Sequence, residues 1–205
     1  MVAPEIEVVR LRTEQIERIA EVLARAFWSD PQMLWLLPDE ADRARLLPWL
    51  MTTSIRFSLR AGEAWTTPDL AGLALWLPPG ARPPGLVATL RSGAIAAPFK
   101  LGWERFNRFT MLAARADQLR KRVMHEPHWH LAGLGVEPSA QRSGIGSALL
   151  QPVLARADAS GAACYLETYT PANVAFYARL GFVVSAEEEL VADAPRIWAM
   201  RRAGR

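Results

Sequence analysis

The chain has 205 residues, of which 51% are hydrophobic and 22% charged, with a formal net charge of +3. That composition is typical of a globular protein with a sizeable core, and the near balance of acidic and basic residues gives little support for nucleic-acid binding. The single cysteine, Cys164, excludes an internal disulfide, and no run approaches the ~20 apolar residues of a membrane span, so we expect a cytoplasmic protein.

Before residue 126 the pattern predicts three helices and three strands. The helices, marked by apolar residues three and four positions apart, are expected at 13–28, 39–59 and 103–125. The strands are expected at 6–11, 64–67 and 70–77, the last two as a hairpin. Thr13 should cap the first helix, Asp30-Pro31 should end it, and Pro48 should kink or divide the second. The Pro- and Gly-rich residues 78–102 predict a loop with one short helix at 86–95.

After residue 126 strands and helices alternate more regularly. Strands are expected at 128–136, 163–168, 182–184 and 197–201, with an acidic turn at 187–189 before the last. A helix should follow the first of these strands and end at Gly161. A second, shorter helix should run from Pro171 to Leu180 and end at Gly181. The order is mixed α/β, with the residues that carry chemistry in the last third.

A polar loop with two glycines separates the strand ending at Val136 from the helix that follows it. Gly144 and Gly146 stand at the predicted start of that helix. Glycine lets backbone N–H groups approach a ligand with no Cβ in the way, and the first N–H groups of a helix have no partner inside it. The helix dipole adds partial positive charge at the same place. The loop therefore predicts a phosphate-binding site.

A dinucleotide-binding turn is one interpretation of this loop, since Glu167 follows at the distance of a ribose-binding acid. Two features argue against that interpretation. Dinucleotide turns place their first glycine directly after the strand, whereas residues 137–143 intervene here. The third glycine position holds Leu149, although close helix–sheet packing there favours a residue without a side chain.

Two motifs together resemble the GNAT N-acetyltransferase superfamily. The first, Gln141-x-x-Gly144-x-Gly146 after a strand and an acidic-Pro turn, is similar to the acyl-CoA pyrophosphate loop of that family. The second is a strand, then Asn173-x-x-x-Tyr177 on a helix, then Leu-Gly-Phe. The segment Trp76-Leu77-Pro78-Pro79-Gly80 resembles the puromycin-type branch. The resemblance is clearest over residues 128–184, and the first 120 residues match only by element order.

The resemblance implies one N-acetyltransferase domain over residues 1–205, with the cofactor-binding half at about 128–184 and the acceptor side largely at 13–125. The implied fold is α/β (α+β), with a mixed, mostly antiparallel central sheet of about six or seven strands flanked by helices. That sheet would be splayed between the strand ending at Val136 and the strand 163–168. The implied activity is direct transfer of acetyl from acetyl-CoA to a primary amine in a ternary complex. The acceptor would be a small molecule, no metal would take part, and the protein would be a monomer or homodimer.

The resemblance also assigns site residues. Those expected to bind the cofactor are Leu134, Gly135, Val136, Gln141, Arg142, Ser143, Gly144, Ile145, Gly146, Ser147, Asn173 and Tyr177. The strand backbone would hold the pantetheine arm, and the loop amides would hold the pyrophosphate, with Arg142 available for a phosphate. Tyr177, on one helix face with Asn173, would protonate the leaving thiolate.

An attacking amine must lose a proton, because a free Lys-like amine has a pKa of about 10.4. Candidate bases are Glu167, at the end of its strand, and His130, on the strand that leads to the site. Either could instead be an ordinary polar residue at a strand edge. The residues expected on the acceptor side are Phe27, Trp28, Glu167 and His130.

Several alternatives share these motifs. A non-catalytic acyl-CoA-binding module, or an acetyltransferase acting on protein lysines or N-termini, would carry the same donor loop, and the basic stretch 115–122 could engage a partner. His125, Glu126, His128 and His130 suggest a metal, but Pro127 interrupts them and a zinc site needs a further ligand. Cys164, in an apolar strand, is expected to lie in the core.

Overall fold

The computed structural model describes residues 6–81 and 93–204, and its strands form one seven-stranded sheet in the order β1-β2-β3-β4-β5-β7-β6. The strands are β1 Val9–Arg10, β2 Glu63–Thr66, β3 Gly72–Leu77, β4 His128–Val136, β5 Ala163–Thr168, β6 Val183–Glu188 and β7 Ile197–Arg202. The α-helices in these ranges are α1 Ile16–Ala26, α2 Pro31–Leu36, α3 Glu40–Ser58, α4 Ala97–Leu101, α5 Trp103–Val123, α6 Ile145–Ser160 and α7 Pro171–Ala178.

The sheet is antiparallel except at β4 and β5, which α6 connects as a crossover and which therefore run parallel. Register pairs between β4 and β5 extend only from His128 with Ala163 to Leu131 with Leu166. Beyond that point β4 continues along β3, and β5 continues along β7. The expected fold class, with its splay between these two strands, is confirmed.

A β-bulge lies on β4 at the point where it leaves β5. Leu75 of β3 is in register with Gly133, and the next residue, Trp76, is in register with Leu131. Ala132 is thus an extra residue on β4. Bulges redirect side chains and backbone groups locally, and here the bulge lies at the fork of the two strands.

Side chains alternate along β3 between two cores, because successive residues of a strand point to opposite faces of the sheet. Leu73 and Leu75 pack with the buried faces of α1 and α3. Ala74 and Trp76 pack with α6 and α7 on the other face. A third, smaller cluster joins Leu119 of α5 to β5 and β7. The sheet is therefore covered on both faces, and its fork lies between the two cores.

Several predicted boundaries need correction in the first 60 residues. Thr13 does not cap a helix: it begins a 3-10 turn, and the Arg12 N–H donates to Gln15 Oε1 at 3.0 Å before α1 starts at Ile16. Asp30 not only follows α1 but begins α2, since its carboxylate accepts from the N–H groups of Gln32 and Met33 at 2.9 and 3.3 Å. Pro48 lies inside α3 without dividing it.

Later elements follow the predictions more closely. β4 and β5 have the expected bounds, and Gly161 ends α6 with a positive φ of 65°. The expected acidic turn at 187–189 is wrong in part, because β6 continues to Glu188. Arg196 and Arg122 form ion pairs with Glu187 and Glu188 and offset the charge of these carboxylates on the edge strand. Most of the helix predicted at 86–95 lies outside the described residues, and Ala94–Ala96 form a 3-10 turn.

Within residues 6–81 and 93–204, no helix combines the length and the apolar character needed to cross a membrane.

Candidate active site

The start of α6 presents three backbone N–H groups that have no acceptor inside the helix. Gly144 precedes α6 with a φ of +92°, a conformation that favours glycine. The first N–H that bonds back into the helix is that of Ala148, to Gly144 O at 3.0 Å, which leaves those of Ile145, Gly146 and Ser147. A Cβ on Gly146 would lie 3.4 Å from Phe176 Cζ, so a larger side chain would fill the approach to these groups. This arrangement suits an anion.

Side chains of the preceding loop hold it in place. Gln141 Nε2 donates to Val136 O at 3.2 Å, and Ser143 Oγ donates to Ala140 O at 2.6 Å. Arg25 of α1 pairs with Glu137 at 2.6 Å, and this guanidinium lowers the pKa of the Glu137 carboxyl. The side chains of Gln141 and Ser143 thus support the loop.

A cleft of about 780 Å³, named here the α6 cleft, opens at this helix start. Its lining includes most of the residues expected at a cofactor site: Leu134, Gly135, Val136, Gln141, Arg142, Gly144, Gly146, Ser147, Asn173 and Tyr177. Two expected residues lie elsewhere. Ser143 and Ile145 line a shallow cavity beside Ile6 and Thr67, because the loop turns their side chains away from the cleft.

Two polar residues of α7 face the cleft, as their spacing of four predicts. Tyr177 is only 6% exposed and packs edge-on to Phe176 and Phe182, with ring centroids 5.0 and 5.9 Å away. Its hydroxyl has no hydrogen-bond partner in the described part of the chain, and burial raises the pKa of the phenol. Asn173 Nδ2 donates to Thr168 Oγ1 at 3.2 Å. Tyr177 therefore stays protonated through the neutral range and has a hydroxyl free to donate.

A second cavity, the central chamber, has a volume of about 370 Å³ and lies at the fork of β4 and β5. It shares five lining residues with the α6 cleft: Phe27, Asp30, Leu134, Asn173 and Tyr177. Ala132 of the bulge lines it as well. The two spaces therefore adjoin beside the Tyr177 side chain.

His130 and Glu167 meet on the wall of the central chamber. His130 Nε2 lies 2.9 Å from Glu167 Oε2, and their side chains are 21% and 15% exposed. Residues 130 and 165 are in register across β4 and β5, so position 167 projects from the same face two residues further along. The sequence indicated each residue separately. It did not indicate that they form a pair, because the parallel register depends on the tertiary fold.

A third space, the side cavity of about 620 Å³, continues from the central chamber. Both are lined by Phe57, Ser58, Ala113, Ala116, His130 and Glu167. The α6 cleft, the central chamber and the side cavity thus form a series, with Tyr177 at the first junction and the His130–Glu167 pair at the second.

Asp30 is a site residue that the sequence analysis missed. It lines both the α6 cleft and the central chamber, and burial raises the pKa of its carboxyl. In the sequence, the Asp-Pro dipeptide indicated only a helix boundary. Asp30 does lie at such a boundary, at the start of α2. Asp30 therefore adds a second carboxylate to the chamber that contains Glu167.

Two other expectations concern the acceptor-side aromatic residues Phe27 and Trp28, and a possible metal ion. Phe27 lines both the α6 cleft and the central chamber. Trp28 lines neither of these spaces nor the side cavity, because its ring packs under the Arg43 guanidinium at 4.7 Å. His128 Nδ1 donates to Glu126 O at 2.7 Å. Within the described ranges no three His, Cys, Asp or Glu side chains lie close enough together to bind a metal ion.

Cys164 lies in the core, and cations of the basic stretch 115–122 form ion pairs within the chain. Cys164 is fully buried, and burial raises the pKa of its thiol to about 11, which disfavours the thiolate that a nucleophile requires. Arg120 and Lys121 pair with Asp117, and Arg122 pairs with Glu188. These pairs neutralise much of the stretch.

Comparisons with known proteins found similarity to acetyltransferases. The acetyltransferase (GNAT) family profile matches residues 103–182. An uncharacterized N-acetyltransferase of Schizosaccharomyces pombe is 27% identical over 196 residues, which are 92% of this chain and 78% of the relative.

Solved structures resemble the whole chain. The structure of a histone acetyltransferase HPA2 and related acetyltransferase from Corynebacterium glutamicum is 25% identical, covers 98% of this chain and 97% of its own, and has a TM-score of 0.71. An agmatine N-acetyltransferase, 12% identical, matches 97% of this chain and 99% of its own with a TM-score of 0.63. The fold matches the GNAT fold.

Proposed function

We propose, from similarities that support the GNAT acetyltransferase family, that this chain is an enzyme that transfers acetyl from acetyl-CoA to a primary amine of a small molecule. The transfer takes place in a ternary complex, within one domain, and by direct attack of the amine. The observation that carries the proposal is the junction at Tyr177. There the cleft at the free N–H groups of α6 meets the chamber that contains Glu167. Within the family, the segment Trp76–Gly80 supports the puromycin-type branch.

The α6 cleft fits a CoA pyrophosphate. The N–H groups of Ile145, Gly146 and Ser147 are free to bind phosphate oxygens, and the glycine at 146 keeps their approach open. Arg142 at the cleft adds a cation for a further phosphate. Acetyl-CoA, when bound, supplies an acyl group already activated as a thioester.

The fork of the sheet fits the pantetheine arm. Residues 132–136 of β4 have no partner on β5, so their backbone groups on that side are available to an extended ligand. Leu134, Gly135 and Val136 line the α6 cleft there. A backbone N–H near the bulge at Ala132 is suited to donate to the thioester carbonyl as negative charge develops on its oxygen.

Proton transfers are assigned to the two junctions. As the amine nitrogen bonds to the acyl carbon, its proton passes to Glu167, directly or through His130 or a water molecule. As the carbon–sulfur bond breaks, the Tyr177 hydroxyl gives its proton to the leaving thiolate. The buried Tyr177 has no other acceptor for that proton in the described part of the chain. The products are an amide and CoA thiol.

The direct test is thiol release from acetyl-CoA in the presence of a panel of primary amines. We expect CoA to stabilise the protein against heat and at least one small amine to release thiol at a rate above hydrolysis. If CoA does not raise the melting temperature, the donor assignment is wrong. CoA stabilisation without turnover on any amine would instead indicate a non-catalytic module, and turnover restricted to lysine peptides or protein N-termini would indicate a protein acetyltransferase.

A further inference from the structure

In the described part of the chain, the central chamber is lined by acidic side chains without a Lys or Arg to balance them. Its lining includes two carboxylates, Asp30 and Glu167, and no Lys or Arg among the described residues. The rest is mainly apolar, including Met33, Phe57 and Phe109. A ligand group in this space meets two carboxylates, a few neutral polar groups and otherwise apolar side chains. The chamber therefore favours one ammonium or amine and disfavours an anion.

A passage leads from this chamber away from the α6 cleft. Ala113 and Ala116 of α5 lie three residues apart on one helix face and line both the central chamber and the side cavity. Their small side chains leave the space beside the His130–Glu167 pair open. Larger residues at either position would narrow it. The side cavity beyond has an apolar wall that includes Phe57, Leu77 and Pro78. Its polar lining contains both acidic and basic groups, namely Asp117, Arg120, His125, Glu126 and His128.

We propose that the acceptor is a primary amine with an elongated, mainly apolar body and no carboxylate beside the nitrogen. Its amine lies in the central chamber between Asp30 and Glu167, and its body extends past Ala113 and Ala116 into the side cavity. This inference rests on the proposed function, because it names the acceptor class of the same site. Amino acids are excluded because their carboxylate would lie against two like charges, and compact amines leave the side cavity empty.

The charge argument is tested with two acceptors that differ by one group, 2-phenylethylamine and L-phenylalanine. We expect kcat/KM for the amine to exceed that for the amino acid by about 100-fold or more. Calorimetric titration without acetyl-CoA should detect binding of the amine and none of the amino acid. Asp30→Asn should narrow the preference, because it removes one of the two repelling charges and retains a side-chain oxygen for the α2 N–H groups. Equal use of the two acceptors, or preference for phenylalanine, overturns the inference.

The passage argument is tested with acceptors of different length and a variant that narrows the passage. Ala116→Phe should lower the ratio of kcat/KM for 4-phenylbutylamine to that for ethylamine by about tenfold or more. Ala113→Phe, at an exposed position, should act in the same way. The matched control is Ala114→Phe, an exposed position on the same helix that lines none of the three spaces, and it should leave this ratio unchanged.

The outcomes distinguish this inference from the proposed function. Turnover of both amines that is independent of body length, or unaffected by both narrowing variants, overturns the passage while leaving acetyl transfer intact. No turnover of any amine despite CoA binding overturns the proposed function and this inference with it. Melting temperatures near the wild-type value show that the variants are folded.

Discussion

The His130 imidazole and the Glu167 carboxylate meet at 2.9 Å across β4 and β5, which run parallel. Their pairing depends on the register that places His130 opposite Tyr165. Leu131 and Leu166 form the last paired position, and beyond it the strands separate. The pair therefore stands at the fork, on the wall between the central chamber and the side cavity. This position on the wall of the chamber is the reason we propose Glu167 as the carboxylate that takes a proton from the amine.

Replacing Glu167 by glutamine should lower kcat while leaving CoA affinity intact. The amide keeps the size of the side chain but cannot accept the proton, and general base catalysis contributes on the order of 10²–10⁴-fold. We expect a fall of about that size in steady-state thiol release. His130→Gln in the Glu167→Gln background should cost little more, because the two residues act together. The matched control is Glu21→Gln at an exposed position of α1, and a similar fall there would contradict the assignment.

Tyr177→Phe should lower kcat while leaving the free energy of unfolding nearly unchanged. The hydroxyl has no partner in the described part of the chain, so its removal should change the free energy of unfolding by less than about 0.5 kcal/mol. We expect kcat to fall by about 10²-fold and the Kd for CoA to stay within about threefold. Urea unfolding, stopped-flow thiol release and CoA titration give the three quantities. A large loss of CoA affinity with normal kcat would remove Tyr177 from the proton transfer.

In the wild type, burial raises the pKa of Tyr177, so the phenol stays protonated as the pH rises toward about 9. Ionisation of this residue should therefore cause no fall in kcat below that pH. A rate that falls between about pH 7 and about pH 9 in the wild type, but not in Tyr177→Phe, would contradict this prediction.

Gly146→Leu should weaken CoA binding. A Cβ at this position already lies 3.4 Å from Phe176, so the longer side chain must enter the α6 cleft and cover the free N–H groups. We expect the Kd for CoA to rise by about tenfold or more, equivalent to about 1.4 kcal/mol. Ala155→Leu, at an exposed position of the same helix, is the control for added bulk and should bind CoA normally. Unchanged affinity in Gly146→Leu would place the pyrophosphate elsewhere.

Stability should fall as the pH drops below neutral, and His128 should contribute. Burial lowers the pKa of its imidazole in the folded protein, the hydrogen bond to Glu126 O opposes this shift, and the positive charge of Arg120 adds to it. The unfolded chain therefore binds the proton first, near pH 6.5, and stability is lost as the pH falls from there toward the folded pKa. His128→Gln, which cannot be protonated, should show a shallower loss of melting temperature between about pH 7 and about pH 5. Parallel curves would exclude this contribution.

Local patterns determined much of the fold before any tertiary contact was considered. The bounds of β4 and β5, the glycine loop between them and the end of α6 at Gly161 follow from apolar runs, glycines and prolines, which act over a few residues. Asn173 and Tyr177 share a face because four residues make about one helical turn. The same local chemistry explains why the donor loop could be recognised. The prediction that Thr13 caps the first helix was wrong, since a 3-10 turn begins at this residue and α1 begins only at Ile16. Pro48 does not divide α3, which runs without interruption from Glu40 to Ser58.

Only the tertiary structure decided how distant residues meet. From the sequence, Asp30 indicated only the boundary of a helix. In the structure its carboxylate lies beside the central chamber, because α1 packs closely over β4. The closeness of this packing is seen at Gly135, where a Cβ would lie 2.6 Å from Leu23. Trp28 differs from Phe27 for a related reason: the turn after α1 directs one ring to the fork and the other under Arg43. The pairing of His130 with Glu167 likewise needs a parallel register across 37 residues of chain. A sequence determines which faces and ends its elements present, but the packing of many weak contacts decides which of them come together.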